Sequence, residues 1–580
     1  MSFKHLSDDP LALVQAALTS LTIVNPRVSV DPTNKTVYDT DALSSSNVAV
    51  VSGGGSGHEP SFAGFVGAGF LSAAVAGSIF ASPSADQVYQ CLIRLGASQP
   101  ERGILVIIMN YTGDKLHFGM ALEKARAQGI KAELLVVGDD VGVGRSRSGR
   151  IGRRGLAGTV LVQKIAGALA GKGATLAEVY ETASLAASNV ATVGASLAHV
   201  HVPGRAVSTD ELDSNEEIEI GMGIHNEEGF GRVKTDLSGL IQILLKQLLD
   251  VTDKDRGFIK IERGEPVVLI VNNLGGLSPL ELGAVTMELS NQLLNSYGLT
   301  PVRVLSGTYM SSLNGLGFSA TLLKVVDTKF IELIDRTAAA SGWLPSVPSE
   351  NWLGQPIGRI INKSATAPDA QGLKSNLQVD YAQVQKTLSK ALTNIVDAEP
   401  EVTKYDTLVG DGDCGLCLKT GAEAVLLHIQ SSSTSDAVQL VTGIAHIIEK
   451  SMDGTSGALY SIFINALAHA LREQDASQPE HATAAVWGTA LTKALQTLGT
   501  YTPAKPGDRT VVDTLQPFIE IFKSTGDLAK AVGAAEKGCE STKGMEASLG
   551  RSVYVGGEEW KNCPDPGAYG LLVFFRGLLG

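Results

Sequence analysis

The sequence predicts a multidomain protein with an N-terminal α/β domain and a C-terminal all-α domain. Its 580 residues exceed what one ordinary hydrophobic core can hold. From about residue 10 to 340, short apolar runs alternate with longer amphipathic segments, whereas strand-like runs nearly vanish beyond residue 378. We therefore place an α/β domain at 1–343 and an all-α domain at 379–580. The stretch 344–378 is rich in Pro, Ser, Asn and Gly, which is typical of a linker.

Four apolar runs of the first domain are predicted as buried strands, at 48–52, 104–108, 132–137 and 267–271. Helical patterns lie between them, for example at 118–128 and 237–249. Alternation of strand and helix favours parallel sheets, in which ligands gather at the carboxyl ends of the strands. We therefore expect the substrate site at those ends.

The second domain is predicted to consist of helices that follow one another. Apolar periodicity places eight of them, at 380–397, 417–430, 434–450, 457–473, 483–498, 512–524, 526–540 and 565–578. An acidic, glycine-rich turn separates the first helix from the second.

Composition and charge exclude several classes of protein. The chain is 44% hydrophobic and 18% charged, as in well-folded globular proteins, and its net charge of −13 argues against binding to nucleic acid or anionic membranes. Five cysteines, an odd number, indicate a reducing, cytoplasmic location. The uncharged run 60–85 is interrupted by glycines, which favours a buried strand and helix over a membrane span. The first residues contain no apolar signal core.

The acidic turn is a candidate metal site. Asp406, Asp411 and Asp413 fall within eight positions, and carboxylates this close repel one another unless a cation lies among them. Hard oxygen ligands suit Mg²⁺ or Ca²⁺. An EF-hand is excluded, because Ala422 stands where the loop needs a bidentate Glu. The alternative is a solvated acidic turn, since Asp and Gly are common in turns.

A glycine-rich segment, SGGGSGHEP at 52–60, directly follows a predicted strand. Its glycines allow backbone N–H groups to approach a ligand, and His58 stands at its end. The segment lacks the Gly-Lys-Ser/Thr ending of a P-loop, and His58 occupies the third glycine position of the dinucleotide fingerprint. It therefore indicates a small-ligand site of another kind.

Two further residues are candidate catalytic groups. Asp114 follows a predicted strand and could accept a proton from a substrate hydroxyl, or could simply cap the next helix. His225, in GMGIHNEEG at 221–229, could act as a base or a nucleophile, or be a structural histidine. These alternatives stay open at this level.

Two shorter patterns give weaker evidence of a redox or metal site. Cys414 and Cys417 form a Cys-x-x-Cys pair without a second pair at zinc spacing or a thioredoxin-like context. His199 and His201 alternate on a predicted strand and could form a metal pair, but no third ligand is in view.

Together, the motifs resemble the single-chain, ATP-dependent dihydroxyacetone kinase family over nearly the whole chain. Besides the segments at 52–60 and 221–229, the resemblance rests on NYTGDKLHFGMALEKAR at 110–126, GRRGLAGTVLVQKIAGALA at 152–170, NNLGGLS at 272–278, Asp406 with GDGDCG at 410–415, DGTSGALY at 453–460, KPGDRT at 505–510, LGRSVYVG at 549–556 and PDPGA at 564–568. No single motif is decisive, but their order and joint presence are highly specific.

The resemblance implies two α/β subdomains that bind the ketone and an eight-helix barrel that binds the nucleotide. His225 would attack the substrate carbonyl carbon and hold it as a hemiaminal, so that glycerol, which has no such carbon, is rejected. His58 with Gly55, Ser56 and Gly57 would hold the substrate oxygens, and Asp114 would take the proton of the terminal hydroxyl. Glyceraldehyde could form the same adduct. The two halves must meet across the linker or between subunits of a homodimer.

The resemblance also implies ATP as the phosphoryl donor and Mg²⁺ as the metal. Asp406, Asp411 and Asp413 would hold Mg²⁺ against the phosphates. Asp411 and Asp413 would also contact the nucleotide. The remaining nucleotide contacts would come from glycine-rich turns and helix starts, namely Gly412, Cys414, Gly415, Thr455, Ser456, Gly457, Gly507, Arg509, Asp565, Pro566 and Gly567.

The chain departs from the family pattern at three positions. Met109 stands where the family commonly has Lys, and Leu416 and Cys417 stand where it usually has two threonines. These departures leave open a sensor that binds the ketone without phosphorylating it. A second alternative is the FAD-splitting cyclase activity of animal members, which would use the same nucleotide domain with Mn²⁺.

Overall fold

The computed structural model describes residues 5–98, 101–148, 152–205, 217–344, 347–352, 374–410, 412–475, 478, 480–547, 549 and 559–580. The chain divides into two compact units, Met1–Ile360 and Ile361–Gly580. Asp411, most of the predicted linker and most of the segment 549–556 lie outside the described residues. Among the described helices, none is both long and apolar enough to cross a membrane.

The first sheet contains six strands in the order β1-β2-β4-β3-β5-β6. Strands β3, β4, β5 and β6 are parallel, as expected, and the hairpin of β1 and β2 extends the sheet through an antiparallel pairing of β2 with β4. The strands are β1 Val28–Asp31, β2 Thr36–Asp39, β3 Ala49–Ser56, β4 Ala73–Ile79, β5 Ile104–Met109 and β6 Ala132–Val137.

The second sheet is mostly antiparallel, contrary to the expectation of parallel sheets. Its order is β11-β10-β12-β7-β8-β9, and only β10 and β11 run parallel. The reason is that β8 and β9, and likewise β11 and β12, are joined without a crossover helix, which a parallel connection requires. The strands are β7 Val190–Ser196, β8 Ile218–Ile220, β9 Gly231–Val233, β10 Val267–Asn273, β11 Arg303–Gly307 and β12 Gly317–Lys324.

The helices of this unit follow local sequence signals. Helix α8, for example, begins with the capping box of Ser278 and Glu281 and ends at Gly298, whose φ of 64° suits a left-handed cap. The helices are α1 Pro10–Val24, α2 Ala85–Ser98, α3 Thr112–Ala127, α4 Arg145–Ser148, α5 Gly158–Ala170, α6 Leu176–Ser188, α7 Leu237–Leu249, α8 Pro279–Tyr297 and α9 Lys329–Asp335.

Helix α5 lies at the centre of the first unit. It is buried on every side, and it contacts β3 and β5 of the first sheet as well as β7 and β12 of the second. A helix that is apolar all round belongs in a core. Because both sheets pack on α5, loops from the two sheets can build one site.

The second unit contains the eight predicted helices. They are α10 Tyr381–Val409, α11 Cys414–Ser431, α12 Ala437–Ser451, α13 Gly454–Arg472, α14 Ala484–Leu498, α15 Val512–Thr525, α16 Leu528–Ser541 and α17 Pro566–Gly577. Two short strands, β13 Leu377–Gln378 and β14 Glu480–His481, pair in parallel beside them.

One boundary differs from the sequence prediction, because α10 continues through Pro400 to Val409 instead of ending near residue 397. A proline inside a helix removes one backbone hydrogen bond. The helix persists because Val402, beyond the proline, packs in a core cluster with residues of neighbouring helices, and Val409 is also buried. Asp406 therefore lies on the last turn of a helix and not in the acidic turn.

Candidate functional site

The two histidines singled out in the first unit contact each other. His58 follows β3 of the first sheet, and His225 lies in the loop between β8 and β9 of the second. Their Nε2 atoms are 3.0 Å apart. His58 is fully buried, whereas the His225 side chain keeps 18% of its surface exposed. His225 is therefore the ring that a ligand can reach.

Hydrogen bonds determine the tautomers of this pair. His58 donates its Nδ1 proton to the carbonyl of Ser311 at 3.0 Å, since a carbonyl can only accept. His225 donates its Nδ1 proton to the Glu227 carboxylate at 2.8 Å. Both Nε2 atoms then present lone pairs, so a contact of 3.0 Å requires one proton between them. Burial and the neighbouring His225 lower the pKa of His58 to about 3, so His58 itself is neutral at neutral pH.

Glu227 is the carboxylate that orients His225. One of its oxygens accepts the ring Nδ1–H, and the other accepts the backbone N–H of His225 at 2.9 Å. Burial alone would raise the pKa of Glu227, but the contacts with His225 and the charge of Arg154 lower it to about 2. Glu227 is therefore ionised at neutral pH and directs the reactive nitrogen of His225 away from itself.

Aromatic rings enclose the pair. Phe80 stacks on His58 with ring centroids 5.3 Å apart and meets the His225 ring edge-on, also at 5.3 Å. Tyr111 packs edge-on against His225 at 4.7 Å. These walls restrict water around the nitrogen of His225, which strengthens electrostatic interactions there.

Asp114 lies in the first turn of α3, shortly after β5. Its carboxylate accepts a hydrogen bond from Ser82 Oγ at 2.5 Å, whereas the helix N-cap is Tyr111, without a side-chain cap. Burial raises the pKa of Asp114 to about 6, although Ser82 and His225 oppose the rise. An acid with this pKa can accept a proton near neutral pH.

The glycine-rich segment allows close packing around His58. A Cβ at Gly55 would lie 2.7 Å from the backbone nitrogen of Ala81, and Gly57 has a φ of 103°. The backbone N–H of Gly57 donates to the Glu59 carboxylate at 3.0 Å. The Ser56 hydroxyl is buried and donates to the carbonyl of Gly77 at 2.9 Å, which ties β3 to β4.

The predicted His199 and His201 pair is not arranged for metal binding. Both residues lie beyond the end of β7 and not on a strand. His199 contacts Glu219 at 3.0 Å, whereas His201 contacts His5 at 3.0 Å and the carbonyl of Arg205 at 2.8 Å. Within the described part of the chain, no group of three His, Cys, Asp or Glu residues could hold a metal ion.

In the second unit, the starts of α11 and α13 come together. Cys414 Sγ lies 3.9 Å from Ser456 Oγ, and Thr455 and Gly457 share the first turn of α13 with Ser456. A helix N-terminus carries a positive dipole end that suits phosphate oxygens, and here two such ends lie close together.

Two of the three predicted metal ligands can be placed. Asp406 is buried and accepts the backbone N–H of Cys414 at 2.9 Å, while Asp413 is exposed at the start of α11 without making a cap hydrogen bond. Gly412, with a φ of 81°, makes the turn between them. The carboxylates of Asp406, at the end of α10, and Asp413, at the start of α11, supply the oxygen ligands that Mg²⁺ prefers, and Asp411, the third predicted ligand, lies outside the described residues.

The start of α17 borders the same region. Asp565 caps this helix by accepting the backbone N–H of Ala568 at 2.8 Å, and Pro566 and Gly567 form its first turn. Burial, opposed by Arg509 and reinforced by Asp513 and Asp406, raises the pKa of Asp565 to about 7.

Arg509 and Gly507 come from the loop before α15. Arg509 has a φ of 60° and donates to the carbonyls of Trp560 and Cys563 at 3.2 and 3.1 Å. Gly507 donates its N–H to Asp513 at 2.6 Å.

The Cys-x-x-Cys pair lacks the features of a redox motif. Burial raises the pKa of the Cys414 thiol to about 12 and also raises that of Cys417, so both remain protonated and poorly reactive. Cys417 donates to the carbonyl of Asp453 at 3.3 Å, and Leu416 is largely exposed. Met109 is buried in the core at the end of β5, where a Cβ added to Gly155 would meet it.

The sequence did not predict several residues of the first site. Glu227 stands two positions after His225, and this proximity was the only available signal. Ser82, Phe80 and Ser311 come from distant segments, and nothing in their local patterns indicates a site.

Comparisons with known proteins agree with these observations. The model of the Dak1 domain matches residues 19–342, and that of the DAK2 domain matches residues 408–580. The chain is 41% identical to "Dihydroxyacetone kinase" of Komagataella pastoris, over 100% of this chain and 98% of that protein. It is 36% identical to "Triokinase/FMN cyclase" of Mus musculus, over 100% and 99%. The dihydroxyacetone kinase from C. freundii in complex with AMP-PNP and Mg²⁺ is similar in structure, with a TM-score of 0.64, 30% identity and 99% coverage of both chains.

Proposed function

This chain belongs to the dihydroxyacetone kinase family, and from that premise we propose that its first unit holds the substrate covalently on His225 and that Asp114 accepts the proton of the reacting hydroxyl. The chain phosphorylates dihydroxyacetone with ATP as the donor and Mg²⁺ as the metal. The observation that supports our assignment is the contact of His58 and His225, whose Nε2 atoms lie 3.0 Å apart while Ser311 and Glu227 orient the two rings.

Covalent capture of the substrate needs only proton transfers among His225, His58 and the substrate oxygen. The Nε2 proton of His225 passes to Nε2 of His58, and the freed lone pair attacks the carbonyl carbon. The C=O π electrons move to oxygen, which takes the proton from His58 and becomes a hydroxyl. The His225 ring now carries a carbon on Nε2 and a proton on Nδ1, and its positive charge faces the Glu227 carboxylate 2.8 Å away.

Asp114 then acts on the terminal hydroxyl of the captured substrate. Its raised pKa of about 6 leaves it ionised at neutral pH and more basic than an ordinary aspartate. It accepts the hydroxyl proton while the oxygen attacks the γ-phosphorus, and Ser82 keeps its carboxylate oriented.

In the second unit we propose that Asp406, Asp411 and Asp413 hold Mg²⁺, and that the helix starts at Cys414, Gly415 and Thr455–Gly457 contact the phosphates. When bound, Mg-ATP supplies the phosphoryl group and a cation that neutralises charge on its oxygens. Gly412, Gly507, Arg509, Asp565, Pro566 and Gly567 border this pocket in our assignment.

Three finer assignments complete the proposal. Glyceraldehyde is a second substrate, since its aldehyde carbon is open to the same attack by His225. The protein works in the cytoplasm, which is supported by the free cysteines among the described residues. It acts as a homodimer, which rests on the family resemblance and which light scattering of the purified protein would test.

We expect the purified protein with Mg-ATP to phosphorylate dihydroxyacetone and glyceraldehyde, but not glycerol, because only the first two offer His225 an electrophilic carbon. A reductase that consumes dihydroxyacetone phosphate measures the ketone reaction, and ADP release measures all three. Release of riboflavin cyclic phosphate from FAD with Mn²⁺ would reveal the cyclase activity. Equal turnover of glycerol and dihydroxyacetone would contradict carbonyl capture.

We expect Asp413→Ala to weaken Mg-ATP binding about 10-fold to 100-fold, the range for loss of one contact to a charged group, while ketone capture stays intact. Asp413 makes no cap hydrogen bond, so the variant should fold normally. Titration calorimetry with AMP-PNP and Mg²⁺ measures the affinity. Asp397→Ala, an exposed acid on α10, is the control. Unchanged affinity in Asp413→Ala would place the metal elsewhere.

A further inference from the structure

Arg154 joins the helix α5 region to the loop that carries His225. Its Nε donates to Asp140 Oδ2 at 2.7 Å, and its Nη2 lies 2.7 Å from the same oxygen. Nη2 also donates to the carbonyl of Gly221 at 2.6 Å. Asp140 is fully buried and the Arg154 side chain is 14% exposed, so the pair is well shielded from solvent.

The third nitrogen of this guanidinium faces the catalytic loop. A Cβ built on Gly223 would lie 2.6 Å from Arg154 Nη1 and 2.0 Å from Glu227 Oε2. Both groups therefore approach the same glycine. The backbone N–H of Gly223 in turn donates to the Glu227 carbonyl at 2.9 Å. Arg154 thus acts on the loop at Gly221 and next to Glu227, on both sides of His225.

We propose that Arg154, neutralised and held by Asp140, is a positioning residue for covalent capture of the substrate, because it holds the loop at Gly221 and lies beside the Glu227 carboxylate that orients His225. This inference rests on the function proposed above. Arg154 acts through Glu227 and His225 and need not touch the substrate itself.

The charges around Glu227 explain why Arg154 needs to be paired with Asp140. His225, His58, Tyr111 and Arg154 face this carboxylate, and the charge of Arg154 favours its ionised form. An unpaired arginine would compete with the His225 ring for Glu227. Asp140 removes that competition, since it engages two nitrogens of the guanidinium and leaves Glu227 to His225.

Two substitutions separate the effect of the Arg154 charge from the effect of its hydrogen bonds to Asp140 and Gly221. Arg154→Gln removes the cation, whereas Arg154→Lys keeps a cation but cannot reach Asp140 and Gly221 with a planar fork. The dihydroxyacetone concentration for half-maximal adduct should rise about 10-fold to 100-fold in Arg154→Gln and about 10-fold in Arg154→Lys, as for loss of charged hydrogen bonds. The value of kcat at saturating ketone should change by a much smaller factor than the half-maximal concentration does.

The pH dependence of adduct formation tests this inference, because it should not change if Arg154 only stabilises the fold. In the wild type the adduct should persist as the pH falls toward the Glu227 pKa of about 2, because Glu227 until then neutralises the positive charge of the captured His225 ring, for as long as the protein stays folded. In Arg154→Gln the Glu227 pKa should rise, because one of the charges that lower it is gone while the larger contributions of His225 remain, so the adduct should be lost at a higher pH than in the wild type. Arg154→Lys should keep the wild-type profile.

NMR with dihydroxyacetone labelled at the carbonyl carbon measures the adduct, and native mass spectrometry checks it. Arg303→Gln is the matched control, because Arg303 and Asp335 form another buried pair in this unit, 2.7 Å apart. It should lower thermal stability without changing capture.

Wild-type capture affinity and pH profile in Arg154→Gln would overturn the inference. If that variant does not fold, wild-type affinity in Arg154→Lys would overturn it. Absence of adduct from the wild type would refute the proposed function instead, so the two failures are distinguishable.

Discussion

His225→Ala is expected to abolish the covalent adduct and to lower kcat/KM for dihydroxyacetone on the order of 10³-fold. The loss is large because the adduct converts a diffusing ketone into a positioned group, and intramolecular positioning can supply several kcal/mol of the barrier. Whatever turnover remains should no longer distinguish dihydroxyacetone from glycerol, since the electrophilic carbon then confers no advantage.

The adduct and the specificity are measured separately. Carbonyl-labelled dihydroxyacetone reports the adduct by NMR, and parallel assays with glycerol report the preference. His469→Ala is a suitable control, because His469 lies on α13 in the second unit and its side chain is 75% exposed. An adduct that survives in His225→Ala would show that another nucleophile captures the ketone.

Asp114→Asn is expected to lower kcat by about 10²-fold to 10⁴-fold, the usual contribution of a general base, while the adduct still forms. Asparagine keeps the shape of the side chain but cannot accept the hydroxyl proton. Equal losses of adduct and turnover in this variant would assign Asp114 to substrate capture instead of proton transfer.

The pH dependence of kcat tests the same assignment. A base works only when ionised, so the wild-type rate should fall as the pH drops through about 6, the raised pKa of Asp114. The Ser82 hydrogen bond lowers this pKa, so Ser82→Ala should raise it and move the acid limb to higher pH. An acid limb that stays in place in Ser82→Ala would exclude Asp114 as its source.

Much of the fold follows from local patterns in the sequence. The strands near residues 104–108 and 267–271 are continuous apolar runs, the strand at 132–137 is apolar except for Glu133, and the eight helices of the second unit have regular apolar periodicity. The prediction was wrong at Pro400, where packing of Val402 and Val409 outweighs the local cost of a proline. It was also wrong on the direction of the second sheet, because pairing of distant strands leaves no local signal.

In the candidate site, too, some features have a local sequence signal and others do not. His58, Asp114 and His225 could be selected from the sequence, because each follows a strand or a glycine-rich segment. Their local patterns do not reveal that the Nε2 atoms of His58 and His225 meet, or that Ser82 orients Asp114. For Asp114, the choice between helix cap and base depends on a partner 32 residues away.

By itself, the sequence determined which residues are available for chemistry and which family the motifs resemble, because motif residues and hydrophobic periods are local properties of a chain. Only the tertiary structure decided how those residues work. Packing of both sheets on α5 brings His58 and His225 together, and burial shifts the pKa values of His58, Asp114 and Glu227. Those shifts depend on desolvation and on charges contributed by distant segments, which arise only when the chain is folded.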